Sequence, residues 1–418
     1  MHSFLEWTDD MNYTCIIIGG GPAGLMAANQ LQKQRISYCI IDKNPLLGKK
    51  LLITGGSRCN VTNIYSVKDF IHHLTIPHNR FLYSSLSSFG TTEAIQFFKD
   101  RGVDFYIEEG YKYFPKSNQA LDIKRALEEG LEGDIYLNET VESIQYEGEF
   151  KVSSNKRTYT SDYVIVATGS KSYPKTGSTG DGIHFAKAFH HTVVPFYPAE
   201  TNIYSSYIKK HKDVLQGIVL EKVMVHIKDT KIKYSGNLLF THWGLSGPVI
   251  QHLSEFVYQE LKKEHNILLV SLTNYGEKEI REELNKDSNK EVFVFKILSQ
   301  FTTKRIAKFV LDELGYENQK MKSFHKKEIN RLVNGLLHFE VVVDRVEDIQ
   351  NAFVNGGGVS TKELDPKTFE SKIQQGLFFV GETVDVHGPI GGYNITIALS
   401  SGFQAARKIG EEYHARTS

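Results

Sequence analysis

The residues best placed for chemistry are Gly19-Gly20-Gly21-Pro22-Ala23-Gly24, a G-x-G-x-x-G turn behind the apolar, β-branched run Cys15-Ile16-Ile17-Ile18. Their chemistry is the binding of a pyrophosphate. Gly19 permits a tight turn, Gly21 lacks a Cβ and lets the backbone approach the phosphates, and Gly24 lets a helix pack close to the strand. A helix-like segment follows from Leu25 to Leu31, entered through Pro22 and Ala23, so its free N–H groups and positive dipole end face the anion. A second apolar strand, Tyr38 to Ile41, ends in Asp42, whose carboxylate can accept hydrogen bonds from a ribose diol. Strand, helix, strand and acid stand in the order of the βαβ dinucleotide fingerprint.

The elements that hold this turn are legible to different degrees. A Gly- and Lys-rich loop runs from Gly48 to Asn60, and helical patterns follow near Val67–Leu74, Thr91–Arg101 and Gln119–Glu129. Val141–Tyr146 and Lys151–Tyr159 read as a small antiparallel excursion, and Tyr163–Val166 as a buried strand. Beyond Pro195, short strand-like runs such as Lys222–Ile227 and Ile267–Leu272 alternate with lysine-rich amphipathic helices. Gly356-Gly357-Gly358 and Gly376–Glu382 return to the glycine-punctuated style of the first third, and a helix over roughly Asn394 to His414 closes the chain. The expected organisation is a nucleotide-binding domain in two parts, 1–195 and 346–418, around an inserted substrate or cap domain, 196–345, β-rich with a helical subdomain.

Bulk properties exclude several classes. The 418 residues suffice for two or three domains. Lys+Arg and Asp+Glu are equal at 49 each, which leaves no overall electrostatic case for a nucleic-acid or membrane partner. Cys15, Cys39 and Cys59 show no C-x-x-C spacing, which argues against a disulfide framework or a redox dithiol and for a reducing compartment. The longest uncharged stretch, Thr14 to Gln32, is the fingerprint itself and not a membrane span. The first ten residues lack the basic start and apolar core of a signal peptide and read as an extension or a mis-assigned start; the expected location is the cytoplasm. The sixteen histidines show no zinc spacing, so no metal site is expected.

The fingerprint alone does not separate NAD from FAD. A strand ending in Ala167-Thr168-Gly169 and a later one ending in Gly381-Glu382 follow the pattern of FAD enzymes of the glutathione-reductase structural class. The fold expected is therefore α/β: a Rossmann-like FAD-binding domain of that class, interrupted by an inserted mixed β-barrel and helical domain. The runs Lys49–Asn63, Ala167–Gly182, Phe240–Pro248 and Gly381–Asn394 extend the likeness over nearly the whole chain, in order. In these motifs the sequence resembles the YhiN-like bacterial flavoproteins, catalogued as "NAD(FAD)-utilizing dehydrogenases". That family has aminoacetone-oxidase-like and dehydro-bile-acid-reductase-like members.

The resemblance implies a non-covalent FAD and a set of residues around it. Lys43, Lys50, Leu51 and Thr54 join Asp42 among the cofactor residues. The segment Gly55-Gly56-Ser57-Arg58-Cys59-Asn60 resembles one that wraps the flavin, with Arg58 supplying charge where it could otherwise be a plain surface cation. Cys59 has no resolving cysteine and no adjacent base, so packing or a backbone contact suits it better than catalysis. Val141 stands where this fold class touches adenine through backbone groups. Gly381, Glu382 and Asp385 stand where the class binds the ribityl chain and pyrophosphate. Gly391-Gly392-Tyr393-Asn394-Ile395 leads into the last helix, whose N-terminus would face the flavin pyrimidine ring and stabilise negative charge there. Thr179–Gly182 fits a helix cap or a substrate loop equally.

The substrate pocket is expected between the insert and the flavin face, with Thr241, His242 and Trp243 on the insert side. His242 fits a general acid or base, but with no partner visible in sequence a structural role is favoured. His387 and Tyr393 are the next candidates, and no catalytic residue is assigned. The function implied is an FAD-dependent oxidoreductase, either a reductase or an amine or aminoketone oxidase. It would move a hydride through flavin N5 to or from a small organic substrate. No second strand–glycine turn–helix unit is evident, so NAD(P)H, if used, would enter transiently. Two alternatives stay open: a non-catalytic flavin-binding module, and a flavin-dependent tRNA-modifying protein. The second draws on a basic excess over 301–331, which solvated helix faces explain more simply. The oligomeric state is not readable from the sequence.

Overall fold

Three stretches, Cys15–Ile18, Tyr38–Asp42 and Tyr163–Val166, are buried at every position, as expected of parallel strands covered on both faces. They lie in a seven-stranded sheet of a computed structural model that describes residues 11–417. The readings of residues 1–10 lie outside the described residues. Met11–Ile18 runs between Tyr38–Asp42 and Thr158–Val166, parallel to both, with Asp134–Leu137 beyond Tyr38–Asp42. Leu377–Phe379 adds in parallel to the end of Thr158–Val166, whose first half pairs with the antiparallel hairpin Phe150–Ser154 and Val141–Tyr146.

The register decides where a ligand can sit. Ile18 lies opposite both Ile41 and Val166, and Val166 lies opposite Phe379. The strands therefore end on one line, which brings Gly19, Asp42, Ala167 and Val380 level at one carboxyl edge. Open α/β sheets bind ligands at that edge. The fingerprint helix, Pro22–Lys33, buries Leu25, Met26, Ala27, Ala28 and Leu31. The closing helix, Tyr393–Thr417, lies against it so tightly that a Cβ on Gly402 would stand 2.0 Å from the Ala23 carbonyl oxygen.

One sequence reading changes. Lys151–Tyr159 is not one strand: Ser154 Oγ accepts the N–H groups of Lys156 and Arg157, which turns the chain, and Thr158 begins the long strand to Val166. Gly356-Gly357-Gly358 lies inside strand Val354–Val359 and opens no second glycine turn and helix, in line with the sequence reading.

The structure divides into two compact units: the chain up to Tyr197 together with Val354 onward, and Pro198–Phe353. The second unit carries seven antiparallel strands in the spatial order Phe339–Val342, Ile267–Val270, Val219–Ile227, Lys233–Phe240, Gly244–Ser246, Ile203–Tyr204 and Arg345–Val346. Only Val343 and Asp344 separate the two outermost strands in sequence, so the sheet edges there lie within about 11 Å and the sheet must curl. Its buried side chains, among them Leu220, Val225, Leu238 and Val270, form a core with helix Pro248–Leu261 and the helices over 277–337. That core shares no residue with the core of the first unit. No described helix is long and apolar enough to cross a membrane. Among the described residues, no group of three or more His, Cys, Asp or Glu could hold a metal ion.

Candidate functional site

A groove opens at the carboxyl edge of the parallel strands, and the fingerprint turn forms its floor. Gly19 turns with φ +103°, where a Cβ would stand 2.6 Å from the Ala167 carbonyl oxygen. At Gly24 a Cβ would stand 2.0 Å from the Gly19 carbonyl oxygen, so only glycine lets helix and strand approach this closely. Gly21 differs, because a Cβ there would meet nothing within 4 Å; its bare side lines the groove. Pro22 starts the helix and no side chain caps it, which leaves the first-turn N–H groups for an anion.

Asp42 is 9 % exposed, and its carboxylate orders the turn. Its Oδ2 accepts the Gly20 N–H at 2.7 Å, and its Oδ1 accepts the Asn44 N–H at 2.7 Å and the Asn44 side-chain amide at 2.9 Å. A carboxylate offers about four acceptor positions, so capacity remains for a ligand hydroxyl. Lys43 lines the mouth, ion-pairs with Asp181 at 2.5 Å and donates to Thr179. Asp181 precedes helix Gly182–Ala188 without capping it through its side chain, since it is committed to Lys43.

On another wall, Lys50 Nζ lies 2.7 Å from Glu382 Oε2 and 2.5 Å from Ser172 Oγ, and Ser170 Oγ donates to the same carboxylate at 2.9 Å. Burial alone would raise the Glu382 carboxyl. The Lys50 ammonium and the Ser170 hydroxyl outweigh that and hold it below the usual carboxylate range. Loops from three strand ends are tied together here. Gly182 N–H donates to Thr168 Oγ1 at 3.0 Å, Gly169 N–H to Thr383 Oγ1 at 3.1 Å, and Gly381 N–H to Ser401 Oγ at 2.9 Å. Ala167 lines the groove beside them. Leu51 and Thr54 contribute from the Lys-rich loop, and Val141 from the hairpin. The Asn394 amide bonds both backbone groups of Gly388, at 2.7 and 2.9 Å, which closes the loop before the last helix. Asn394 and Ile395 face the groove from that helix's first turn.

The remaining candidates have other surroundings. Arg58 forks onto Glu108 at 2.7 and 3.1 Å and covers the ring of Phe114. Gly55 and Gly56 form the left-handed turn that presents it. Cys59 is fully buried, and burial pushes its thiol up to about 12. Asn60 donates to the carbonyls of Thr62 and Tyr113. Gly391 and Gly392 have positive φ, and a Cβ on Gly392 would stand 2.5 Å from the Thr62 backbone. Tyr393 is buried against Phe70 with ring centroids 4.6 Å apart. Asp385 accepts the Gly357 N–H at 3.1 Å. His387 is buried, edge-on to Tyr197.

In the second unit, Thr241 Oγ1 closes a turn by donating to the Gly244 carbonyl and accepting its N–H, both at 3.0 Å. Trp243 stacks on Tyr204 at 4.6 Å, and His242 is exposed. Sequence reasoning assigned no role to Asn44, Ser170 or Ser172. The available signal was the density of hydroxyl and amide side chains just after strand ends.

Comparison with known proteins matches residues 13–408 to the family described as HI0933-like protein Rossmann domain. The chain is 29 % identical over 409 residues to a ribosomal RNA dihydrouridine synthase of Haemophilus influenzae, covering 95 % of this chain and 98 % of that one. It is 28 % identical over 413 residues to a 3-dehydro-bile acid delta(4,6)-reductase of Clostridium scindens, covering 94 % and 98 %. Among solved structures, the 3-ketosteroid-delta4-(5alpha)-dehydrogenase of Rhodococcus jostii RHA1 is similar in fold. Its TM-score is 0.55 at 11 % identity, over 97 % of this chain and 98 % of that one. With a family match spanning both units and the dinucleotide turn in place, the chain belongs to the HI0933-like Rossmann-domain family.

Proposed function

We propose that this protein is an FAD-dependent reductase that saturates a carbon–carbon double bond conjugated to a carbonyl. The observation that carries the reading is the groove, with the bare side of Gly21, the uncapped helix and Asp42 on one line of strand ends. These residues fit FAD: the turn and helix N-terminus suit a pyrophosphate, and Asp42 keeps an acceptor position for a ribose. Glu382 would hold the ribityl side, with Lys50 and Ser170 fixing its charge and direction. Asn394 and Ile395 would set first-turn N–H groups against the pyrimidine edge, favouring negative charge there.

The chemical class follows from what the two relatives are named for. Reduction of uridine to dihydrouridine and reduction of a 3-keto bile acid unsaturated at positions 4 and 6 both saturate a double bond conjugated to a carbonyl. FAD held there would supply hydride-transfer chemistry toward the β-carbon, with a proton going to the α-carbon and the two electrons drawn from NAD(P)H. A transient visit by the nicotinamide suits the chain, because Gly356–Gly358 is spent inside a strand.

The test is an anaerobic titration of the purified protein followed by its visible spectrum. The flavin band should bleach with NADH or NADPH and return when a conjugated enone or a uridine-containing RNA is added. Protein that takes up no FAD would sink the proposal, and so would a reduced flavin that only oxygen or an amine couple can turn over.

A further inference from the structure

We propose that the outward face of the curled sheet in the second unit binds single-stranded RNA, with Lys222 and Lys233 on backbone phosphates and Tyr275 as a stacking platform for a base. This goes beyond the reductase reading, on which it rests only for the reason an RNA would be present: uracil carries a double bond conjugated to a carbonyl.

The face is built by strand register. Along Val219–Ile227, the residues Leu220, Val223, Val225 and Ile227 are buried, while Glu221, Lys222 and Met224 are exposed. The alternation slips once, because the pairing with Lys233–Phe240 shifts between Leu220 and Val223. That bulge holds Lys222 left-handed at φ +52°, with its N–H on Asn237 Oδ1 at 3.0 Å. A bulge of this kind re-aims a side chain, here a lysine on the solvent side. Met224 then pairs with Ser235, and His226 with Lys233 on one flank and Leu269 on the other. The segment after Ile267–Val270 brings Asn274 and Tyr275 to the same groove, and Tyr275 is 43 % exposed with its ring edge-on to Phe301.

The charges favour a polyanion. Among the described residues Lys222 and Lys233 form no ion pair, whereas the acids near them are largely neutralised: Glu277 by Arg281 at 2.7 Å and Glu340 by Lys228 at 2.6 Å. Glu221, at the bulge, is the remaining exposed carboxylate on the strand. His226 and His338 add ring edges to the groove. Unpaired cations spaced around an exposed aromatic ring on a sheet face are what a single strand needs, phosphates on the cations and a base on the ring. The helices over 301–331, where the sequence shows its basic excess, suit RNA less well. No aromatic ring there is exposed to stack on a base, and three of the eight cations are paired, Lys308 with Asp312 at 2.9 Å and Lys320 and Lys322 with Glu291 at 2.7 Å.

The experiment is fluorescence anisotropy of a labelled uridine-rich single-stranded RNA of about twelve nucleotides with the FAD-loaded protein, across a KCl series. Three proteins are compared: wild type, K222A/K233A and Y275A. The lysine pair should weaken binding about tenfold or more near 0.1 M salt and reduce the slope of log K against log[KCl] by about 1.4, or 0.7 per phosphate. Y275A should weaken binding about tenfold with the slope unchanged. No binding by wild type, or equal affinity and slope in all three, overturns the proposal, and a protein-only partner for this face gives that result. The flavin band, read on the same samples, should be identical in the three. Its absence would count against the reductase reading alone, so failure of one proposal is distinguishable from failure of the other.

Discussion

Gly21 and Gly24 stand three residues apart and meet opposite surroundings, so one substitution tests the ligand and the other tests the fold. Gly21 has extended backbone at φ −79°, ψ −175°, and a Cβ on it meets no protein atom within 4 Å. Gly21→Ala should leave the urea stability of the flavin-free protein within about 0.5 kcal/mol of wild type. It should still weaken FAD binding at least tenfold, because the methyl enters the space where a pyrophosphate would lie. Gly24→Ala places its methyl 2.0 Å from a backbone oxygen and should cost about 2 kcal/mol or more in the same flavin-free protein. Equal effects of the two changes on stability would show that Gly21 does not face a ligand space. Fluorescence titration with FAD and urea unfolding, run on both variants, give the two readouts.

Between elements, one acid-sensitive tie is His191, which follows helix Gly182–Ala188 and is buried against Ser371 and Glu363. Ser371 Oγ accepts the N–H groups of Ile373 and Gln374 at 3.0 and 2.8 Å, so its own proton goes to His191 Nε2 at 2.8 Å. The imidazole proton then sits on Nδ1, 3.3 Å from Glu363. The three side chains resemble a nucleophile triad, but the serine oxygen is spent on backbone amides. Burial lowers the His191 pKa more than Glu363 raises it. The unfolded chain therefore binds this proton more readily than the folded one, and stability falls as pH drops below the ordinary imidazole value of about 6.5. The urea midpoint should decline between about pH 7 and pH 5.5, and His191→Gln should flatten that decline. An unchanged slope in the variant would remove His191 as its source.

This tie was not legible in the sequence, because its partners lie 172 and 180 residues further on. The fingerprint was legible because each glycine answers a local demand of turn or packing, and the buried strands because they are apolar runs in which only the terminal Asp42 is charged. Arg58 was harder for the same reason as His191: its partner Glu108 comes from a separate small sheet, and no local pattern announces it. The strand from Thr158 was misjudged at its start because the Ser154 hydroxyl, not a glycine or proline, makes the preceding turn.

At the scale of the whole molecule, formal charge is balanced at 49 against 49, so no global field draws in a polyanion and any RNA contact must be as local as the Lys222–Lys233 face. The division into two cores has a consequence for folding. The first unit's core gathers the strand ends and both long helices around the groove, and the second unit's core closes on its own sheet and helices. Cores that share no residue can lose structure as separate cooperative units. A ligand that binds only native structure stabilises the unit that holds its site, by about 2.7 kcal/mol at a free concentration one hundred times Kd. Every groove residue belongs to the first unit. Differential scanning calorimetry should therefore resolve two transitions, and added FAD should raise one of them while the other stays in place. At the same FAD concentration Gly21→Ala should cut that FAD-induced shift to about half or less without moving either transition of the flavin-free protein. A single transition that FAD raises as a whole would mean that the two cores unfold as one.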